Sequence, residues 1–277
     1  MLFRSLAKDM TEALGRSVVV ENRPGANGSL GSQLVARARP DGYTLLVGAA
    51  ATNASNYAFY SGKLGYLPAS FEVVGGLGIV PLSLVVSANA PWKSLTELIA
   101  EAKKKPGEFA CGSGSTTAQI ACEIFKLRAG IDVLNVPYKG TPPAMNDLAG
   151  GQVQFVFADG TSAAALVEQK RLRVLATAAN KRAPYWPDVP TFVELGIQDL
   201  EISAWSAVFV PASTPLAIRQ KLNAVVRRST ESPESIASRQ RTGALALTYT
   251  LDEAQRFVSG EIDRWARFVK ESGVKLE

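Results

Sequence analysis

The chain has 277 residues, 47% hydrophobic and 20% charged, which suits one large or two medium globular domains and excludes a disordered chain. Lys and Arg number 30 against 25 Asp and Glu, a net charge of +5. Only Lys103-Lys104-Lys105 and Arg227-Arg228 cluster, so no basic stripe beside stacking aromatics marks a nucleic-acid surface. Histidine is absent, which removes the commonest general base and metal ligand, and two cysteines cannot hold a structural zinc ion alone. No catalytic residue, metal or cofactor is expected. Cys111 and Cys122 read as two small buried thiols in preference to a disulfide, because free Cys is commonly buried. No apolar run approaches the roughly 20 residues that span a bilayer.

The chain starts on MLFRSLAKDMTEALG, where Leu2, Phe3, Leu6, Met10, Ala13 and Leu14 recur at helical spacing among charges. This predicts an amphipathic helix of a folded domain, not a signal peptide. SVVVEN is then expected as a short strand ended by the turn signal Arg23-Pro24-Gly25. A helix from about Gly28 to Ala38, the turn Pro40-Asp41-Gly42 and the strand TLLVGAA follow. Two apolar runs, FEVVGGLGIV and LSLVVSA, precede a helix opened by Ser94, which forms a capping box with Glu97.

The middle third alternates strand EFACG with helix 117–129, LNVPY with helix 142–150, VQFVFA with helix 162–170, and ends on the strand RLRVLATAA. That alternation predicts an α/β protein with parallel sheets covered by helices. The last third holds the strand WSAVFVPA, a helix entered by Thr214 and Pro215, another opened by Ser232-Pro233, and a final helix boxed by Thr250 and Glu253. Two α/β series joined by long strands predict two lobes: 1–86 plus 207–277, and 87–206. The connecting segments near 82–88 and 204–210 would form the hinge. Ligands of open α/β sheets sit beyond the carboxyl ends of the strands, which puts the ligand cleft between the lobes.

Three strand-to-helix loops are rich in small hydrogen-bonding residues: 51–56 (ATNASN), 112–117 (GSGSTT) and 158–162 (ADGTS). Amides at a helix N-terminus, with Ser and Thr hydroxyls, suit an anion; the same residues also cap the helices they precede. The 112–117 loop lacks the Gly-Lys-Ser/Thr ending of a phosphate loop, and no G-x-G-x-x-G follows a strand. S-x-x-K and G-x-S-x-G are absent too. Asp159 and Lys139 are expected as a structural ion pair sooner than as a catalytic one. An α/β enzyme acting on a small carboxylate stays as the alternative to a binding protein.

VVVENRPGANGSLG, ARARPDGYTLLVG, VPYKGTPPAMNDLAGGQVQFVF and WPDVPTFVELG together resemble the tripartite tricarboxylate receptor family, the Bug receptors, over the whole chain. The resemblance implies a type II periplasmic binding protein fold with two hinged α/β lobes. It implies a monomeric periplasmic solute receptor that closes on a small carboxylate (an organic acid, amino acid or aromatic acid) and hands it to membrane permease subunits. Carried over residue by residue, the ligand-binding candidates are Thr52 and Asn53 from the first lobe. From the second come Ser113, Ser115, Thr116, Thr117, Lys139, Asp159 and Thr161. Asp159 stands where the family reads the far end of the ligand, and its charge would favour an ammonium or a hydroxyl over a second carboxylate. Gln119 stands where the family often has His. The family also begins with an apolar strand and a Gly-rich loop ending in Asp. On that ground an upstream coding region is expected to supply those parts and a signal peptide.

Overall fold

The first helix docks through the stripe its sequence announces. In a computed structural model that describes residues 2–274 apart from 24, 26, 27, 61, 184 and 243, α1 (Leu2–Leu14) buries Leu6 and Met10. They meet Val74, Leu77, Val208, Val210, Leu222 and Val226 on one face of a sheet and its covering helix. The turn expected at Arg23-Pro24-Gly25 is centred on Pro24, which lies outside the described residues. The strand expected at SVVVEN does not form: residues 17–22 carry no regular structure, and Val19 is 82% exposed. β-branched residues make strands only where a neighbour supplies ladder bonds and packing, and no described residue pairs with them. Next come α2 (Ser29–Ala36), β1 (Leu46–Ala49), a π-turn over Ala51–Ser55 and the short α3 (Asn56–Phe59).

The two apolar runs that followed in the sequence form one strand, β2 (Phe71–Ser87), which passes straight through Pro81. Its first part pairs antiparallel with β7 (Ser203–Pro211), from Phe71 opposite Pro211 to Pro81 opposite Ser203. From Leu82 onward it pairs with β5 (Phe155–Asp159) and β6 (Leu172–Thr177) instead. A proline is tolerated there because of direction. The Ile79 N–H and C=O bond Leu245, on the edge away from β7. Two residues on, the missing N–H of Pro81 falls on that same edge, so no bond to β7 is lost. β2 thus belongs to two sheets, β1-β7-β2 and β6-β2-β5-β3-β4, the latter completed by β3 (Phe109–Ser113) and β4 (Val133–Pro137). Between the strands of the described residues, the parallel pairing read from the sequence is confined to β3 with its neighbours β4 and β5. Every pairing of β2 is antiparallel, because β2 is a connecting strand entering from the other sheet.

Helices α4 (Leu95–Lys104), α5 (Thr116–Ala129), α6 (Thr141–Ala149) and α7 (Gly160–Glu168) belong to the second sheet; α8 (Leu216–Thr230) and α9 (Pro233–Thr242) follow β7. Ser94 caps α4 by accepting from the Glu97 N–H, and the Glu97 carboxylate reaches back to the Lys93 N–H. Thr214 does not cap α8; its hydroxyl donates to the Pro211 carbonyl, and Pro215 holds the cap position. The last helix, α10 (Leu251–Ser272), is boxed by Thr250 and Glu253 as expected. It packs on the 51–55 turn, on β2 and on α5, and an Arg128–Glu271 ion pair of 2.6 Å ties it to α5. One core runs continuously from Leu46 and Phe209 through Phe125 and Phe157 to Trp265.

Near the point where β2 changes sheets, α10 buries a carboxylate. Glu261 is 5% exposed and accepts from Trp205 Nε1 of β7 at 2.7 Å and from Arg264 at 3.0 Å. Arg264 also approaches Glu201, 3.6 Å away, in the segment leading into β7. Burial raises the Glu261 carboxyl above its ordinary value, against the pull of Arg264 and the tryptophan N–H groups. A raised folded-state pKa means that the folded protein holds the proton more tightly. The cost of the buried charge is therefore present at neutral pH and relieved as pH falls through the raised value to below the ordinary one. Glu261→Gln lacks that charge at every pH. Urea unfolding of both proteins across this range should show the difference in stability moving in favour of wild type as pH falls. A difference that does not change with pH would remove the claim.

Candidate functional site

Three strands of the second sheet end side by side. Ser113 at the end of β3 is in register with Pro137 at the end of β4, and Gly112 with Val156 of β5, so Asp159 ends the third strand on the same rim. Each strand leads directly into a helix: α5 after Ser115, α6 after Gly140 and α7 after Asp159. Three helix N-termini with their partial positive charge therefore face one rim. Lys139 stands exposed just before the entrance of α6. The turn is tight: the Tyr138 N–H bonds the Ser113 carbonyl at 2.8 Å, and Gly114 lies directly against the backbone of Gly140 and Thr141.

Ser113, Ser115, Thr116, Thr117, Lys139, Asp159 and Thr161 share this rim, with Ser115, Lys139 and Thr161 exposed and Thr116, Thr117 and Asp159 half-buried. Their chemistry is unequal. Ser113 is buried, and its hydroxyl donates to Asn135 Oδ1 at 2.8 Å; Asn135 in turn donates to the Gln119 carbonyl and to Glu123. Ser115 Oγ accepts the Ala118 N–H at 3.1 Å as the cap of α5, leaving its own proton to donate. The Asp159 oxygens take the Ser162 N–H at 2.9 Å and the Ser162 hydroxyl at 3.1 Å, capping α7. The ion pair expected between Lys139 and Asp159 does not form among the described residues, because Asp159 is turned back onto its own helix.

Thr52 and Asn53 belong to the other sheet, on the π-turn after β1. The Thr52 hydroxyl accepts the Ala49 N–H at 3.0 Å and lies 2.7 Å from Asn53 Oδ1, and its methyl lies against Gly28 at the start of α2. Asn53 is 1% exposed and lies across Gly48, where an added Cβ would stand 2.1 Å from its Oδ1. It lines a cavity of about 360 Å³ beneath α10 with Tyr57, Phe71, Val73, Phe209 and Val258. Its Nδ2 makes no hydrogen bond among the described residues, although the amide is near enough to act on the Tyr57 hydroxyl, which burial pushes up. Thr52 keeps one side toward the α2 entrance; Asn53 faces the interior.

Two features of the rim escaped the sequence. Cys111 and Cys122 form a disulfide with a Cα separation of 6.2 Å, which corrects the expectation of two free thiols. β3 and the first turns of α5 lie face to face, which brings both sulfurs together in a fully buried place. The second feature is Tyr185, whose ring rests on Gly160 beside Asp159. An aromatic pair, Tyr185-Trp186, inside a proline-rich loop was its only signal in the sequence.

The chain matches the profile of the tripartite tricarboxylate transporter family receptor over residues 2–274. It is 36% identical over 289 residues to Protein BugT of Bordetella pertussis, an alignment that covers 100% of this chain and 86% of that protein. Among solved structures it is similar to R. palustris Rpa4515 with adipate, with a TM-score of 0.84 and 32% identity over 99% of this chain and 93% of that one. MatC from Rhodopseudomonas palustris with bound malate gives a TM-score of 0.79 and 30% identity over 97% and 93%. No helix among the described residues is long and apolar enough to cross a membrane.

Proposed function

The chain belongs to the tripartite tricarboxylate transporter receptor family, and on that premise we propose that it closes around one small carboxylate at the rim of β3, β4 and β5 for delivery to a membrane permease in the periplasm. The observation that carries this is the convergence of three helix N-termini, α5, α6 and α7, on one rim that also holds Lys139. Backbone amides and hydroxyls at such a place bind an anion without a buried counter-charge. The carboxylate sits at the α5 entrance, on Ser115, Thr116 and Thr117, with Lys139 adding long-range attraction. Relatives bound to adipate and malate support a small organic acid as the ligand class.

Lobes of 1–86 plus 207–277 and of 87–206 then move about the crossing of β2 and β7, supported by the change of partner at Pro81 and Leu82. α10, which touches both sheets, acts as a strap across the hinge. Thr52 closes the cleft from the other lobe, and the protein does no chemistry on what it holds. The rim offers caps and donors where an enzyme would hold a nucleophile beside a base: the Ser113 hydroxyl is committed to Asn135.

Titration calorimetry with malate and adipate tests the assignment. Ser115→Ala combined with Thr116→Ala should weaken binding by about 1–3 kcal/mol, the value of hydrogen bonds to a charged group. Unchanged affinity would move the carboxylate elsewhere, and no binding of any small carboxylate by wild type would overturn the receptor reading itself.

A further inference from the structure

We propose that Tyr185 and Asp159 together read a hydroxyl group on the ligand, at the end away from its carboxylate; the proposal rests on the carboxylate-receptor reading. Tyr185 belongs to the loop that leaves β6 and returns at Thr191, which bridges Thr177. That loop is pinned. Arg182 Nε lies 3.0 Å from both Glu194 oxygens, Arg182 also donates to the Pro187 carbonyl, and Glu194 accepts the Thr191 N–H at 2.7 Å. The tyrosine ring is thereby set on Gly160: a Cβ there would stand 2.8 Å from Cε2 and 2.9 Å from Oη.

The Tyr185 hydroxyl oxygen is buried and has no hydrogen-bond partner among the described residues. A buried donor left unmet is costly, so its presence at a strand-end rim points to a group that arrives with the ligand. Burial and the neighbouring Asp159 charge push the phenol up to about 12, so it offers a proton throughout the neutral range. Asp159 spends one lone pair of each oxygen on Ser162 and keeps others for a donor. The pair therefore asks for a group that accepts from Tyr185 and donates to Asp159.

The chemistry of that demand is selective. A hydroxyl does both at once. An ammonium donates to Asp159 but has no lone pair for Tyr185. A second carboxylate accepts from Tyr185 but is repelled by Asp159. A methyl group leaves both unsatisfied. Of the two classes that the Asp159 charge alone would favour, Tyr185 selects the hydroxyl.

The test is calorimetry with butyrate, succinate, γ-aminobutyrate and γ-hydroxybutyrate, and with the corresponding five-carbon set. In at least one set the hydroxy acid should bind tightest, by about tenfold or more over the unsubstituted acid, the worth of one such hydrogen-bonded group. Tyr185→Phe should erase that advantage while leaving the unsubstituted acid within about twofold of its wild-type affinity. Asp159→Asn keeps a capping oxygen for α7 and should raise the dicarboxylate relative to the hydroxy acid. Carboxylates that bind without a hydroxyl preference, or a preference that survives both substitutions, would overturn this proposal and leave the receptor reading standing. If none of these probes binds wild type while malate or adipate does, this proposal falls alone; if none of them binds, both readings fall.

Discussion

Replacing Cys111 and Cys122 together by alanine is expected to lower the stability of the protein by about 3 kcal/mol and to weaken carboxylate binding with it. The two cysteines are 11 residues apart, and the ring they close encloses the whole 113–117 turn. A cross-link of that span removes about 3 kcal/mol of chain entropy from the unfolded state in the loop-closure account. Both residues are fully buried, so alanine adds the loss of packed sulfur without adding a polar group. The effect on binding has a separate cause. Cys111 anchors β3 and Cys122 anchors the second turn of α5, and between them lie Ser115, Thr116 and Thr117. Without the bond, the turn that presents these donors must be ordered by the ligand itself, which takes free energy from binding. Urea unfolding and calorimetry on the double variant check both parts, and a urea midpoint equal to that of wild type would refute the stabilising role. A disulfide of this kind also suits an oxidising compartment, which supports the periplasmic reading.

The sulfur pairing shows why parts of this site could not be read from the sequence. A disulfide depends on the distance between a strand and the helix that follows it, and composition alone favours free thiols in a buried place. Pro81 misled for a similar reason. In the sequence it divides two apolar runs, whereas in the fold its missing N–H points to an edge that needs none, and β2 runs on unbroken. Asn53 stood in a polar loop and reads as a ligand contact, yet Gly48 leaves room for it to turn inward under α10. What was legible rests on local chemistry. Ser94 and Thr250 cap helices because hydroxyls at those places satisfy free amides whatever the tertiary context. The same logic placed Ser115 and Asp159 at helix entrances, where each accepts an amide of the helix it precedes.

That rim depends on one close approach, and Gly114→Ala should break it. An ideal Cβ at Gly114 would lie 2.4 Å from Thr141 Cα, 2.5 Å from its nitrogen and 2.6 Å from the Gly140 carbonyl carbon. All three are backbone atoms, so no side chain can swing aside. The turn after β3 and the one after β4 must separate instead, which moves Ser115 and Thr116 away from Lys139. Overpacking of this sort costs about 1–3 kcal/mol of stability. A displacement near 1 Å of positioned donors is expected to lower carboxylate affinity by tenfold or more, since a hydrogen bond stretched by that amount is largely lost. Gly260→Ala is the matched control. It lies within α10, and an added Cβ there meets nothing within 4 Å. Alanine in a helix interior should stabilise the protein by about 0.5–1 kcal/mol with binding unchanged. Thermal unfolding and calorimetry on the two variants should therefore move stability in opposite directions and affinity in one variant only. If Gly114→Ala melts and binds like wild type, the two turns do not meet as described, and the rim loses the contact that holds its donors together.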